Sequence, residues 1–488
     1  MRKLTELEFD NTYARLPAAF YARVAPTPLA APRLVSFNAD AAALLGLDPA
    51  EATSPDFVAY FSGQKILPGA EPLAMLYAGH QFGVYVPQLG DGRAILLGEV
   101  RGPQGARWDL HLKGAGQTPY ARGFDGRAVL RSTVREYLCG EAMHALGIPT
   151  TRALCVVGSG EPVRRERVET AAALVRLAPT HVRFGSFEVF HYRGQTGRVR
   201  ELADYVVAQH FAELLDTADR YERFLAEVVA RTARLVARWQ AVGFAHGVMN
   251  TDNMSVLGLT LDYGPFGFMD EFRFGFVCNH SDYAGRYAYN QQPAVALWNL
   301  SCLAEALSGL VARARAAATL ERFQPAFAAH YGALMRHKLG LREPRAEDAD
   351  LVLALLELLD AQAVDYTNFF RRLGEFKTTA GARNERVRDL FTTPAAFDGW
   401  ARAYRPRLVS EQSDDRERKA RMAAVNPKYV LRNHLAQAAI EAAERGDYAE
   451  LERLRALLAR PFDEQPAMEH YAAPPPARSR RPVVSCSS

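Results

Sequence analysis

The feature that most constrains this chain is a polar loop set directly after a long amphipathic run. His246-Gly247-Val248-Met249-Asn250-Thr251-Asp252-Asn253 is followed by Leu259-Thr260-Leu261-Asp262-Tyr263-Gly264. Asn253 and Asp262 offer an amide oxygen and a carboxylate, the donors that hard ions such as Mg²⁺ or Mn²⁺ require. A short strand pair between the two residues is expected to bring them to one point. The run before the loop, about residues 221–242, places Leu225, Val228, Val229, Leu235, Val236, Trp239 and Val242 at helical spacing. Arg231, Arg234 and Arg238 fall on its opposite side, and Gly243 ends it.

The spacing is that of a kinase catalytic loop followed by a metal-binding D-x-G, with Asn253 seven positions after His246. The kinase base position, two after the His, holds Val248, which cannot accept a proton. Asp252 is the nearest carboxylate able to act as general base, a role worth roughly 10²- to 10⁴-fold in rate. An isolated Asp-Asn pair more often caps a turn; its place beside His246 and Asp262 favours the chemical reading. Upstream, Lys113 ends a strand-like run and Glu136 lies on the following helix, the order of the kinase lysine–glutamate pair. Taken singly, each would be read as a solvated surface residue.

Two glycine turns could approach phosphate through backbone N–H groups. Leu89-Gly90-Asp91-Gly92-Arg93 lies between apparent strands, and Arg122-Gly123-Phe124-Asp125-Gly126-Arg127 precedes a helix N-terminus. Either is also compatible with a plain turn, and Asp91 would repel phosphate unless turned away. Arg176 and Arg183, seven residues apart, carry guanidinium forks suited to phosphate. With Lys113 and Arg93 they would supply more positive charge than a kinase usually applies to a triphosphate.

The rest of the chain frames this constellation. Residues 1–65 mix short helical stretches and Pro-rich turns; Ala94–Val100 and Trp108–Lys113 read as antiparallel strands; a helix is expected near 127–146. Beyond 300 the pattern is mainly helical, with runs near 294–318, 347–363 and 430–459, and Pro474–Ser488 reads as a mobile tail. The net charge of +4 is too small and dispersed to indicate a nucleic-acid surface. Five cysteines without a CxxC pair indicate neither a zinc cage nor a secreted disulfide framework. With no leader-like or membrane-spanning stretch, a cytoplasmic monomer is the expectation.

At Tyr77-Ala78-Gly79-His80-Gln81-Phe82-Gly83, Leu89–Arg93, Leu112-Lys113-Gly114-Ala115-Gly116-Gln117-Thr118-Pro119-Tyr120, His246–Asn253 and Asn426-Pro427-Lys428-Tyr429, the chain resembles the selenoprotein O family of kinase-like proteins. The resemblance implies an α+β, protein-kinase-like bilobal fold: an extension (1–65), a small β-rich N-lobe (66–175), a large helical C-lobe (176–400), a helical extension (401–473) and a tail (474–488). It implies ATP bound in reverse, so that AMP passes to Ser, Thr or Tyr hydroxyls of proteins and pyrophosphate leaves, with UMP transfer in some members. On that pattern Asp252 takes the proton, Asn253 and Asp262 hold Mg²⁺ or Mn²⁺, and Lys113 pairs with Glu136. Gly90, Gly92, Arg93, Lys113, Asp125, Gly126, Arg176 and Arg183 contact the nucleotide.

Where that family often carries selenocysteine, this chain has Cys486. Cys278, sixteen residues after Asp262, falls in the segment corresponding to a kinase activation loop. Two independent thiols are the plainer reading; the alternative is that an oxidant links Cys278 and Cys486 and alters activity. The competing functions are an atypical protein kinase, a nucleotide-binding pseudokinase scaffold, and a small-molecule phosphotransferase of the aminoglycoside or choline kinase type. Val248 argues against the first and the last, because both keep an Asp there. The intact metal and base candidates argue against the scaffold.

Overall fold

The computed structural model of the chain describes residues 1–476, 484 and 485. Cys486 and most of the tail expected over 474–488 lie outside the described residues. In chain order the strands of the first half are β1 (Tyr21–Arg23), β2 (Arg33–Phe37), β3 (Leu73–Met75), the hairpin β4 (Gly79–Gln81) and β5 (Val84–Val86), β6 (Ala94–Arg101), β7 (Arg107–Lys113), β8 (Ala128–Val129), β9 (Arg152–Arg164) and β10 (Val168–Ala178). Eight of them form one sheet in the order β1-β3-β6-β7-β10-β9-β2, with β8 beside β10 and the β4–β5 hairpin standing apart. Its pairings are antiparallel, with β6–β7 and β9–β10 joined as hairpins by short connections.

Strand alternation decides what each face of the sheet carries. Leu110 and Leu112 of β7, and Val175 and Leu177 of β10, point into a core shared with Leu4, Leu45, Phe57 and Phe61. The N-terminal segment therefore covers one face, and it also contributes β1 and β2 to the sheet. Residues of the opposite parity, His111, Lys113 and Arg176, share the other face, with Arg176 directly across from His111 in register.

On that second face lies the helix Leu130–Ala145, which packs on β9 and β10 and is backed by the helices Asn433–Glu444 and Ala449–Leu458. Its apolar stripe, Leu130, Val134, Leu138 and Ala142, is buried as the periodicity predicts. Glu136 is buried as well, because the sheet's polar face is its neighbour.

The helix Arg220–Val242 ends on Gly243 in the left-handed conformation at φ 71°, which lets the chain turn straight into the polar loop. It packs on the helices Phe323–Lys338 and Gln292–Ala306. The expected run over 294–318 is two helices, Gln292–Ala306 and Arg313–Leu320, divided at Ser308-Gly309; that over 430–459 is divided at Gly446. The expected strand pair between Asn253 and Asp262 reduces to one bridge, Met254 to Thr260. Thr260 also bridges Thr150, so the segment is shared between two neighbours and builds no ladder. Among the described residues no helix is long and apolar enough to cross a membrane.

Candidate functional site

The polar face of the sheet, the helix carrying Glu136 and the loop after Gly243 meet around a cleft of about 740 Å³. Gly90, Gly92, Arg93, Lys113, Asp125, Gly126, Arg176, Arg183, Asp252, Asn253 and Asp262 all line it, with Val248 beside them. Eight basic and four acidic side chains are among its walls, an excess that suits a polyanion.

At the centre is Asp262. Lys113 Nζ lies 3.2 Å from its Oδ1 and Arg183 Nη1 2.7 Å from its Oδ2, while Arg176 Nη1 closes on Oδ1. Glu136 completes the cluster, 2.5 Å from Lys113 Nζ and 3.1 Å from Arg176 Nη1. Burial alone would raise the carboxyl of Asp262, but Arg176, Lys113 and Arg183 hold it well below the usual range, so it stays charged. Burial lowers Lys113, against the pull of Glu136 and Asp262. Asp262 sits at φ 55°, a left-handed conformation that costs a non-glycine residue about 1–3 kcal/mol. The surrounding cations hold it there.

Arg176 is fixed from behind. Its Nη2 donates to His111 Nδ1 at 2.9 Å, which leaves Nε2 to donate to Asp91 at 3.1 Å. Asp91 is therefore turned away from the cleft, accepting also from the Met75 backbone N–H, and does not oppose an anion at the glycine turn. Gly90, at φ 83°, allows that turn, since a Cβ there would meet the Tyr120 ring at 2.6 Å. Arg183 Nη1 also donates to the Asp252 carbonyl oxygen at 2.8 Å, joining the two aspartates through one guanidinium.

The carboxylate of Asp252 has different surroundings from that of Asp262. Its Oδ2 accepts from Gln81 Nε2 at 3.2 Å, and its buried Oδ1 has no hydrogen-bond partner. Burial pushes its carboxyl up to about 7, against the opposing effects of Arg183 and Gln81. Asn253 donates its Nδ2 to the Val248 carbonyl oxygen at 2.8 Å, which spends the amide nitrogen inside the loop and orients Oδ1. His246, buried, bonds the Leu261 carbonyl oxygen through Nε2 at 3.0 Å and ties the loop to the segment before Asp262.

Asp125 is the most peripheral of the expected residues: it lies at the mouth, paired with Arg165 at 2.6 Å. Cys278 does not line the cleft; its Sγ is 3.5 Å from the Ala245 carbonyl oxygen, behind the loop. The sequence reading did not single out His111, Gln81, Tyr77 or Arg165. His111 was accessible from the alternation of Trp108–Lys113, which puts it on the Lys113 face. Gln81 carries no such signal, because its approach to Asp252 spans 171 positions of chain.

Removing one cation from this cluster leaves buried carboxylates without a counter-charge. Arg176→Met is expected to lower the unfolding free energy by about 3–5 kcal/mol in urea titrations. A loss below about 1 kcal/mol would mean that Lys113 alone satisfies Glu136 and Asp262.

Known proteins resemble this chain in sequence along nearly its whole length. The family model described as protein adenylyltransferase SelO matches residues 3–459. The chain is similar to the protein nucleotidyltransferase YdiU of Myxococcus xanthus, at 62% identity over 488 residues and the full length of both chains. It is likewise similar to the YdiU proteins of Thioalkalivibrio sulfidiphilus, at 60%, and Thiobacillus denitrificans, at 58%, again over the full length of each. Since the matched stretch contains the cation cluster, both aspartates and the loop that presents them, the chain belongs to the protein adenylyltransferase SelO family.

Proposed function

We propose that this chain transfers AMP from ATP, and UMP from UTP, to Ser, Thr or Tyr hydroxyls of other proteins, releasing pyrophosphate. The single observation that carries this is Asp252: a buried carboxyl raised to about 7, with one oxygen unpartnered, beside a cleft rich in cations. It accepts the hydroxyl proton as the acceptor oxygen bonds to the α-phosphorus and the bond from that phosphorus to the bridging oxygen breaks. Arg176, Arg183 and Lys113, now gathered on Asp262, are the groups that would turn to a reversed triphosphate; Arg93, Gly90, Gly92, Asp125 and Gly126 form its outer contacts. Glu136 holds Lys113 in place.

Asn253 and Asp262 fit a divalent cation. Both offer oxygen, the amide is oriented by its bond to Val248, and the carboxylate remains ionised. Mg²⁺ or Mn²⁺ there supplies charge neutralisation of phosphate oxygens. The reading includes a kinase-like bilobal arrangement, with the sheet-bearing part (66–175) and the helical part (176–400) flanked by 1–65 and 401–473, and a monomer acting in the cytoplasm.

The test uses ATP labelled separately on the α- and γ-phosphates. Label from the α-position alone is expected on protein, and is lost in Asp262→Ala; γ-label would instead establish a kinase, and no label a scaffold. A base must be deprotonated to act, so a group raised to about 7 gives a rate that falls about tenfold per pH unit below that value. Gln81→Met removes a bond that favours the ionised form and is expected to move the acid limb of the kcat profile to higher pH. An unmoved limb would exclude Asp252 as the titrating base.

The same reading extends to Cys278 and Cys486. Val484 is buried, and its carbonyl oxygen accepts from the His280 N–H at 2.8 Å, which brings the described part of the tail within two residues of Cys278. A peroxide or disulfide oxidant takes two electrons and two protons from the thiols as the S–S bond forms. Non-reducing peptide maps after mild oxidation are expected to show a Cys278–Cys486 peptide and lowered transfer activity. Maps without that peptide would end this part of the proposal.

A further inference from the structure

Three consecutive residues of the catalytic loop are each held by the β4–β5 hairpin. Asn250 Oδ1 accepts from the Phe82 N–H at 3.2 Å, Thr251 Oγ1 from the His80 N–H at 2.7 Å, and Asp252 Oδ2 from Gln81 Nε2 at 3.2 Å. The contact leaves no room between the two segments, since a Cβ at Gly79 would stand 2.6 Å from Asp252 Oδ1. Yet the hairpin pairs only with itself and takes no position from the main sheet. Something else must fix it.

Tyr287 holds the turn, accepting from the Phe82 N–H at 2.9 Å, and the anchor on the loop side is Glu188, on the helix Phe184–His191. Its side chain is fully buried, a costly place for a carboxylate unless donors compensate. There are two. Thr251 donates its hydroxyl to Oε2 at 2.7 Å, and the His80 ring meets Oε1 through Nδ1 at 3.0 Å. The Thr251 oxygen thus gives its proton to Glu188 while accepting from the His80 backbone, so hairpin, loop and helix close into one ring. The same helix begins at Arg183, which bonds the Asp252 carbonyl oxygen and Asp262. A buried apolar side chain at 188 would pack as well for stability; the carboxylate is explained by what it orients.

We infer that Glu188, His80 and Thr251 are positioning residues that set the Asp252 carboxylate, with the hairpin Gly79–Val86 as the clamp they secure. The inference rests on the reading of Asp252 as the base. His80, Glu188 and Cys302 bring ligand-type atoms within 4.8 Å of one another, so a bound metal is the competing use of the cluster. Glu188 accepts from Thr251 and meets the His80 ring directly, so a metal there would have to break the hairpin–loop–helix ring, which favours positioning.

The test compares two isosteric pairs in the full chain with α-labelled ATP, scaled to sites counted by titration with a non-hydrolysable ATP analogue. Thr251→Val deletes the shared hydroxyl, and His80→Leu deletes the imidazole that meets Glu188 together with its packing on Tyr85, Tyr192 and Trp298. Thr251→Ser and His80→Asn keep a donor in each place, and His80→Asn also lacks the ring, so it separates the two effects. The first of each pair is expected to lose 10- to 100-fold in kcat per counted site, with KM for ATP within about twofold, and the second to stay within about threefold of wild type. In an Asp252→Asn background, Thr251→Val should cause no further loss. Loss of kcat in Val and Leu variants that merely follows the number of counted sites would overturn the inference, as would one zinc per chain in the purified protein. If Asp252→Asn alone retains full activity, the reading of Asp252 fails instead, whatever the hairpin variants do.

Discussion

Everything at the site depends on one partly buried negative charge that the fold surrounds with three cations. Asp262 draws Lys113 from β7, Arg176 from β10 and Arg183 from the start of a helix, so a strand face, its neighbour and the chain after the sheet converge on two oxygen atoms. Such clusters are poor sources of net stability, because desolvating the charges consumes most of the attraction. Their value is geometric. Each guanidinium has a fixed fork, and a carboxylate held at φ 55° cannot relax without breaking several contacts at once.

That geometry also explains how the site can be full of charge and still receive a polyanion. Arg176 and Arg183 are almost wholly buried, yet their forks face the cleft. Under the proposed function a triphosphate would meet cations already desolvated, which turn to it from Asp262. Asp91, which would repel it, is occupied by His111 and the Met75 backbone. The polar face of β7 thus serves as a second layer, with His111 transmitting the position of one strand to the arginine of the next.

Much of this was legible in the chain, and the illegible part has a common cause. Local periodicity located the strands around Ala94 and Trp108, the helix over Leu130–Ala145 and the helix ending at Gly243, because each buries one face whose spacing is written in consecutive residues. The spacing of His246, Asn253 and Asp262 singled out the polar loop, whose residues border the cleft or support it. What could not be read were the contacts closing large loops: Gln81 to Asp252, Thr251 to Glu188, and strands β1 and β2 joining a sheet formed mainly by later residues. The bridge at Thr260 failed as a strand prediction for the same reason, since its second partner, Thr150, lies far upstream.

The two aspartates show why the loop departs from the ordinary arrangement at Val248. They share one guanidinium, Arg183, but their surroundings push them apart: three cations hold Asp262 ionised, while burial with a single amide donor keeps Asp252 near 7. Carboxylates separated in this way divide the labour, one staying charged and the other exchanging a proton near neutrality. A carboxylate at position 248 would add another negative charge beside the cleft and weaken that separation. An apolar Val248 removes the competitor, whereas Asp252 is held by Arg183 at its own backbone carbonyl and by the hairpin at Oδ2 of its side chain. On the proposed reading, the base is defined less by its place in the loop than by which carboxylate the fold buries and leaves half-satisfied.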